Sequence, residues 1–332
     1  MQICTNCVLP SSFPGIKFNN EGICNYCQSY QGHDRLIQSK LKYRQKFLDL
    51  LKQKKNQTGY NCLVAYSGGK DSSFALHLLK KEFDLEVLAI TFDNGFISSY
   101  ALNNIRSVLD HLGIDHLMLK PRFDLLKRIF IESSKHDLYS NKALERASTV
   151  CTSCMGLVKF VTLRIAIEKK IPIIAYGWSP GQVPLSASVF KYNPAMLKKM
   201  QQAIKQPLHE IVGDAVNNYF LDDRDFENGT DFPYNVSPLA FSTYDEDEIY
   251  ETINKSGWQM PEDTDSKSTN CLLNSYANVI HKNRFRYHPY VFEIAKLVRE
   301  GYLDRIKAIS RLNAEENPKT LNLVRNKLFG QN

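Results

Sequence analysis

The chain has 332 residues, 43% hydrophobic and 23% charged, with a net charge of +7 and eight cysteines. This is the composition of an ordinary globular protein of about two domains, or of one large domain with additions, and it excludes a repeat or low-complexity architecture. No run of 18 apolar residues is present, so the sequence predicts no membrane span. Met1-Gln2-Ile3-Cys4 offers neither a basic nor an apolar leader, which makes the cytoplasm the expected location. In that compartment cysteines read as metal ligands or catalytic thiols rather than as a disulfide framework.

Residues 1–34 are turn-rich and too short to build a core alone. They carry two Cys-x2-Cys turns, Cys4/Cys7 and Cys24/Cys27. Two such turns present four thiolates to one tetrahedral ion, and Zn²⁺ is the expected metal. Residues 35–60 read as a basic linker helix. Lys40, Lys42, Arg44, Lys46, Lys52, Lys54 and Lys55 mix there with Tyr43, Phe47, Leu48, Leu50 and Leu51. Both a solvated basic face and an RNA-contacting helix fit that pattern.

From 61 to 200 strand-like stretches at 62–66, 87–92, 115–119 and 172–176 alternate with helical patterns. That alternation predicts an α/β fold with a doubly wound parallel sheet. Residues 201–332 read as a mostly helical substrate or cap region. Within it, 205–235 look irregular, while 246–256 and 289–329 look helical, with Val291, Ile294, Ala295, Val298 and Tyr302 on one face.

The segment Ser67-Gly68-Gly69-Lys70-Asp71-Ser72 lies between the first strand and a helix predicted over Ser73 to Lys81. Glycines there let backbone N–H groups approach an anion, and the helix N-terminus adds its dipole. Asp71 follows Gly69-Lys70 where a Walker A loop needs Ser or Thr, so this is a different phosphate cradle. The string resembles the loop of the N-type, PP-loop ATP pyrophosphatases, which split ATP between the α and β phosphates. The resemblance implies an adenine nucleotide alpha hydrolase-like domain that binds ATP through Ser67, Gly68, Gly69, Lys70, Asp71 and Ser72. Lys70 and Mg²⁺ would then stabilise the leaving pyrophosphate, and Asp71 would cap the helix and help to hold the metal.

Cys4-Thr5-Asn6-Cys7-Val8-Leu9-Pro10, Glu21-Gly22-Ile23-Cys24-Asn25-Tyr26-Cys27 and the stretch from Tyr287 to Leu303 resemble the N-acetyl-sugar amidotransferases. One feature departs from them: Cys151-Thr152-Ser153-Cys154, at the start of a helical stretch over 155–169, with a distant Cys271. This set is similar to the tRNA 2-thiolation enzymes, and implies that Cys151, Cys154 and Cys271 hold a [4Fe-4S] cluster. Cysteines at a helix N-terminus are also expected to have lowered pKa values. A persulfide-carrying pair and inert buried thiols remain alternatives for Cys151 and Cys154, and a plain core position for Cys271. Cys62, inside the first strand, reads as core.

Asp93-Asn94-Gly95 follows the second strand at the edge where ligands bind a doubly wound sheet. The resemblance implies that it lies beside the adenosine and helps to hold Mg²⁺ or to position the acceptor; the residues alone also fit a plain turn. Gly177, in the stretch Tyr176 to Gln182, reads as a close approach to nucleotide or substrate. Lys159 fits a substrate contact or a solvated lysine, and His281 and His288 fit structural roles better than catalytic ones.

The expected reaction begins with adenylation of an acceptor carbonyl or amide oxygen and release of pyrophosphate. Sulfur then replaces oxygen, with Cys151, Cys154 and Cys271 as the sulfur-handling residues and a sulfur donor as partner. One alternative is an amidotransferase fed with ammonia by a glutaminase subunit; the other is a non-catalytic ATP or Fe–S binding module. A tRNA base, a purine or other metabolite, and an N-acetyl sugar all fit as acceptor, and a homodimer is compatible with the sequence.

Overall fold

The computed structural model describes residues 2–54, 59–227, 230–264 and 268–330. Lys55, the last of the basic series, lies outside them.

Short apolar runs make the central sheet. β1 (Cys62–Ala65), β2 (Val87–Phe92), β3 (Asp115–Leu119) and β4 (Ile173–Tyr176) appear where the sequence predicts strands, and all are parallel. β5 (Val189–Lys191) and β6 (Tyr234–Val236) complete the order β3-β2-β1-β4-β6-β5, with β6 parallel to β4 and β5 antiparallel to β6. Strand residues alternate between two apolar layers. Cys62, Val64, Ala89 and Ala175 face one core, while Leu63, Leu88, Ile90, Ile174 and Tyr176 face the other. Both faces of the sheet are therefore covered, as a doubly wound sheet requires.

The helices are α1 (Asn25–Gln28), α2 (His33–Lys54), α3 (Lys70–His77), α4 (Ser99–Leu112), α5 (Phe123–Lys135), α6 (Asn141–Leu144) and α7 (Thr149–Glu168) before β4. α8 (Pro194–Val212) lies between β5 and β6; α9 (Glu246–Asn254), α10 (Leu273–Phe285), α11 (Val291–Arg299), α12 (Arg305–Asn313) and α13 (Pro318–Phe329) follow. α3 continues as a wider π turn over Leu78–Glu82, which accounts for the longer predicted helix. One face of the sheet carries α2, α3, α4 and the N-terminal knuckle; the other carries α5, α7, α8, α10 and α13.

The expectation of an irregular 205–235 is corrected. α8 occupies the first part, with Asn193 capping it at Met196 N and Leu197, Gln201, Leu208 and Val212 buried. Its sparse apolar stripe and internal Pro207 hide the helix, and three-residue strands such as β6 are too short to show a period. α7 starts at Thr149 rather than 155, because Ser148 accepts a hydrogen bond from Cys151 N. α7 is also long and apolar enough to cross a membrane by length and composition, which the sequence reading excluded. Half of its most apolar stretch is buried, and it packs on β1 and β4 as the central helix of one face.

Candidate active site

The Ser67–Ser72 loop leaves β1 at Tyr66 and turns into α3. Gly68 has φ +75°, and a Cβ there would lie 2.4 Å from the carbonyl oxygen of Ala101 on α4. No other residue type fits that turn without displacing backbone. Ser72 Oγ donates to Gly69 O (3.0 Å) and lies 3.1 Å from Ser67 Oγ, which closes the loop on itself. Two groups from the C-terminal half brace it: Trp258 Nε1 donates to Gly68 O (2.9 Å), and Lys70 N donates to Thr269 Oγ1 (3.0 Å).

The Lys70 side chain does not extend freely toward the cradle. Its ammonium is buried, 2.8 Å from Glu246 Oε1, 3.1 Å from Tyr244 Oη and 3.3 Å from Asp71 Oδ1. Arg311 closes on the same Glu246 through both carboxylate oxygens (3.1 and 2.5 Å). Burial works against the Lys70 charge, but Asp71, Tyr244 and Glu246 outweigh it and hold Lys70 firmly protonated. Glu246 is held down at about 2: burial opposes its charge, and Arg311 and Lys70 overcome that. Tyr244 also donates to Asp71 Oδ1 (3.0 Å), which fixes the aspartate at the start of α3.

Cys151, Cys154 and Cys271 come together. An antiparallel bridge between Ile97 and Cys271, with Ser98 N on Asn270 O and Leu272 N on Phe96 O, brings the distant cysteine to the loop after β2. Asn94 Nδ2 donates to Cys154 Sγ and to Cys271 Sγ, each at 3.5 Å, so those sulfurs lie within 7 Å of one another. Asn274 Nδ2 reaches Cys151 Sγ at 3.8 Å and Tyr290 Oη at 2.6 Å. The expected lowering of these thiols is corrected for Cys154. Burial, then the neighbouring Cys271 and Cys151, push it well above the ordinary thiol range, against a smaller lowering by Asn94. Desolvation outweighs the helix N-terminus here.

Asp93 accepts from Gly95 N (2.8 Å) and lies 3.8 Å from Lys120 Nζ, which is turn geometry at the sheet edge. Gly177 presses on the Ser67–Ser72 loop: a Cβ would sit 2.5 Å from Ser72 Cα and 2.7 Å from Ser72 N. Lys159 packs over the Tyr192 ring, and burial pushes its ammonium down to about 8. His281 packs against Phe285 at a tilt and edge-on to Tyr287, and burial lowers it to about 4; His288 accepts from Tyr290 N. Cys62 is fully buried in β1, as expected. Tyr244, Glu246, Trp258, Thr269, Glu293 and Arg311 are marked by no motif. Asn94 and Asn274 stand beside marked residues but carry no pattern of their own.

At the N-terminus Cys4, Cys7, Cys24 and Cys27 are buried, with all four sulfurs within 4.8 Å of one another. The separations Cys4–Cys27 (3.9 Å) and Cys7–Cys24 (3.8 Å) match a tetrahedron of sulfurs about 2.3 Å from one ion. Cys7 N and Cys24 N both donate to Cys4 Sγ (3.4 and 3.2 Å), while Arg305 clamps the carbonyls of Cys4 and Cys7 (both 2.9 Å).

Residues 61–155 match the family described as queuosine biosynthesis protein QueC. Protein MJ1599 of Methanocaldococcus jannaschii is 25% identical over 320 residues, 96% of this chain and 95% of that protein. Argininosuccinate synthase of Dictyoglomus turgidum is 29% identical over 117 residues, 35% of this chain and 28% of that one. Among solved structures, the U34-tRNA thiolase NcsA of Methanococcus maripaludis with its [4Fe-4S] cluster aligns over 100% of this chain and 99% of its own, at 18% identity and a TM-score of 0.37. Residues 61–155, which hold the loop and three of the parallel strands, are thus similar to the QueC-type ATP-using enzymes, and the N-terminus carries a four-cysteine cluster that could hold a metal ion.

Proposed function

We propose that the enzyme adenylates a carbonyl or amide oxygen of an acceptor, releases pyrophosphate, and then replaces that oxygen by sulfur. The observation that carries this reading is the meeting of Cys151, Cys154 and Cys271 around Asn94 and Asn274, one loop away from the phosphate cradle. Ser67 to Ser72 bind the triphosphate, and Asp71, held by Tyr244, is the Mg²⁺ ligand. Lys70 secures the loop through Glu246, and its charge supports the leaving pyrophosphate from behind the loop. Asp93 and Gly177 shape the nucleotide side of the cleft.

The three thiols suit a [4Fe-4S] cluster. Such a cluster, held by three thiolates, keeps one iron without a protein ligand and so supplies a place to hold sulfide. Asn94 and Asn274 orient the sulfurs with side-chain amides. The four N-terminal cysteines hold Zn²⁺ in a structural role. The acceptor is a small molecule or a tRNA base, and the compartment is the cytoplasm, where thiolates serve as metal ligands.

Ammonia as the second nucleophile is the competing reading. Its support is the resemblance at both ends of the chain, which pack together: Phe13 stacks on Phe292 and contacts Tyr287. The test is anaerobic purification with iron, zinc and labile-sulfide analysis, followed by pyrophosphate release with total tRNA, purine bases and N-acetyl sugars. Brown protein with zinc and cluster iron, losing only the cluster in Cys151→Ser, Cys154→Ser and Cys271→Ser variants, supports sulfur. Colourless protein after anaerobic reconstitution refutes the cluster.

A further inference from the structure

Glu293 lies on α11, which docks against the segment that follows β4. Lys296 Nζ donates to the carbonyls of Pro180 (2.5 Å) and Val183 (2.8 Å). Gly181 lies flat on the helix, where a Cβ would come within 2.7 Å of both Glu293 Cγ and its carbonyl oxygen. Glu293 is half-buried, and its Oε1 accepts a 2.6 Å hydrogen bond from Ser179 Oγ. Ser179 is itself fully buried and held through its N–H by Gln182 Oε1 (2.9 Å). Its donor Ser179 stands two residues beyond Gly177, which packs against the backbone of Ser72 in the loop. Among the described residues no cation pairs with it, and the hydrogen bond from Ser179 to Oε1 is the one its carboxylate receives. The charged groups that face it are Asp71 and Lys70 on α3 and Glu246 on α9; Lys296, on its own helix, is turned to the carbonyls.

We propose that the Glu293 carboxylate takes the N–H proton that an amide-type acceptor loses when its oxygen is adenylated. The proposal rests on the adenylation half of the proposed function and holds whether sulfur or ammonia follows. In the step, an electron pair of the carbonyl oxygen forms the bond to the α-phosphorus, and the bond from that phosphorus to the β-bridging oxygen breaks onto pyrophosphate. The N–H electron pair becomes the C=N bond, and the proton passes to the Glu293 carboxylate. An anchored base spares the acceptor the cationic O-adenylated amide. Burial above all, aided by the negative charge of Asp71 and Glu246 and opposed by Ser179 and Lys70, pushes Glu293 up to about 7. A base poised there is matched to proton transfer at neutral pH.

Glu293→Gln keeps the shape and removes the base. The measurements are MgATP binding by calorimetry, and pyrophosphate release with total tRNA, hypoxanthine and N-acetylglucosamine as acceptor probes. The variant should bind MgATP as the parent does, release pyrophosphate about 100-fold more slowly, and lose the rise of kcat/KM with pH near neutrality. Glu293→Asp should restore part of the rate, and Ser179→Ala should move the rise to higher pH. An unchanged rate and pH profile in Glu293→Gln overturns the proposal alone, as does a parallel loss of MgATP binding. A parent protein silent with every probe overturns it together with the adenylation reading.

Discussion

Lys70 is the most visible charge of the loop, yet its ammonium is spent on Glu246, Tyr244 and Asp71. Lys70→Met removes one partner from a buried network and should cost about 3 kcal/mol in urea unfolding, the low end for such a loss because Arg311 still pairs Glu246. Its effect on ATP affinity should be smaller than that of Asp71→Ala. Glu246 also sets an acid limit. Its folded pKa of about 2 lies below the ordinary 4.5, so the stability it contributes is whole above about 4.5 and is lost as pH falls through about 2. Glu246→Gln should flatten that part of the stability profile. Gly177→Ala drives a methyl into Ser72 and should cost about 1–3 kcal/mol, with weaker ATP binding as the readout that separates it from a remote overpacking. The glycines and serines of this loop were legible from their order alone. Tyr244 and Glu246 were not, because a partner 174 or 176 residues away leaves no local pattern, nor was Arg311, which pairs with Glu246 from 65 residues beyond it.

Among the elements, the N-terminal knuckle packs on α11 and α12, and its four cysteines are placed to hold a metal ion. Phe13 stacks on Phe292, Arg299 reaches Cys27 Sγ at 3.9 Å, and Arg305 binds two cysteine carbonyls. Chelation should expose four thiols to a thiol reagent and open residues 2–28 to protease, while the far-ultraviolet signal of the sheet and its helices persists. The spacing of the cysteines foretold the metal site. The basic series of α2 was legible as a helix but not as to its use. Lys40 bonds Tyr302 Oη (3.0 Å), Arg44 pairs Glu82 (2.7 Å), Lys46 bonds Val189 O (2.8 Å), and Lys54 lies 3.8 Å from Asp231. Much of that charge fastens the helix to the sheet domain, and a count of lysines carries no information about their direction. Loss of Lys42 and Lys52 together should therefore leave stability nearly unchanged, whereas Lys46→Ala should lower the midpoint of thermal unfolding.

At the scale of the molecule, two apolar layers on a parallel sheet carry the loops to one edge, and the C-terminal half folds back over it. Trp258, Thr269, Cys271 and Glu293 all arrive from beyond β6. Parallel strands with right-handed crossovers place the ends of β1, β2 and β4 side by side, so a cleft at that edge follows from order alone. Thus the four parallel strands, the anion loop, the zinc-type knuckle and the three candidate cluster cysteines were determined by sequence, because each depends on spacing within a few residues or on residue chemistry. Only the tertiary structure decided that Cys271 lies beside Cys154, that Lys70 faces Glu246, that α8 and β6 complete the sheet domain, and that Glu293 meets Ser179. Those facts are set by contacts between distant segments, whose free energy comes from burial and charge pairing in three dimensions and has no counterpart in local periodicity.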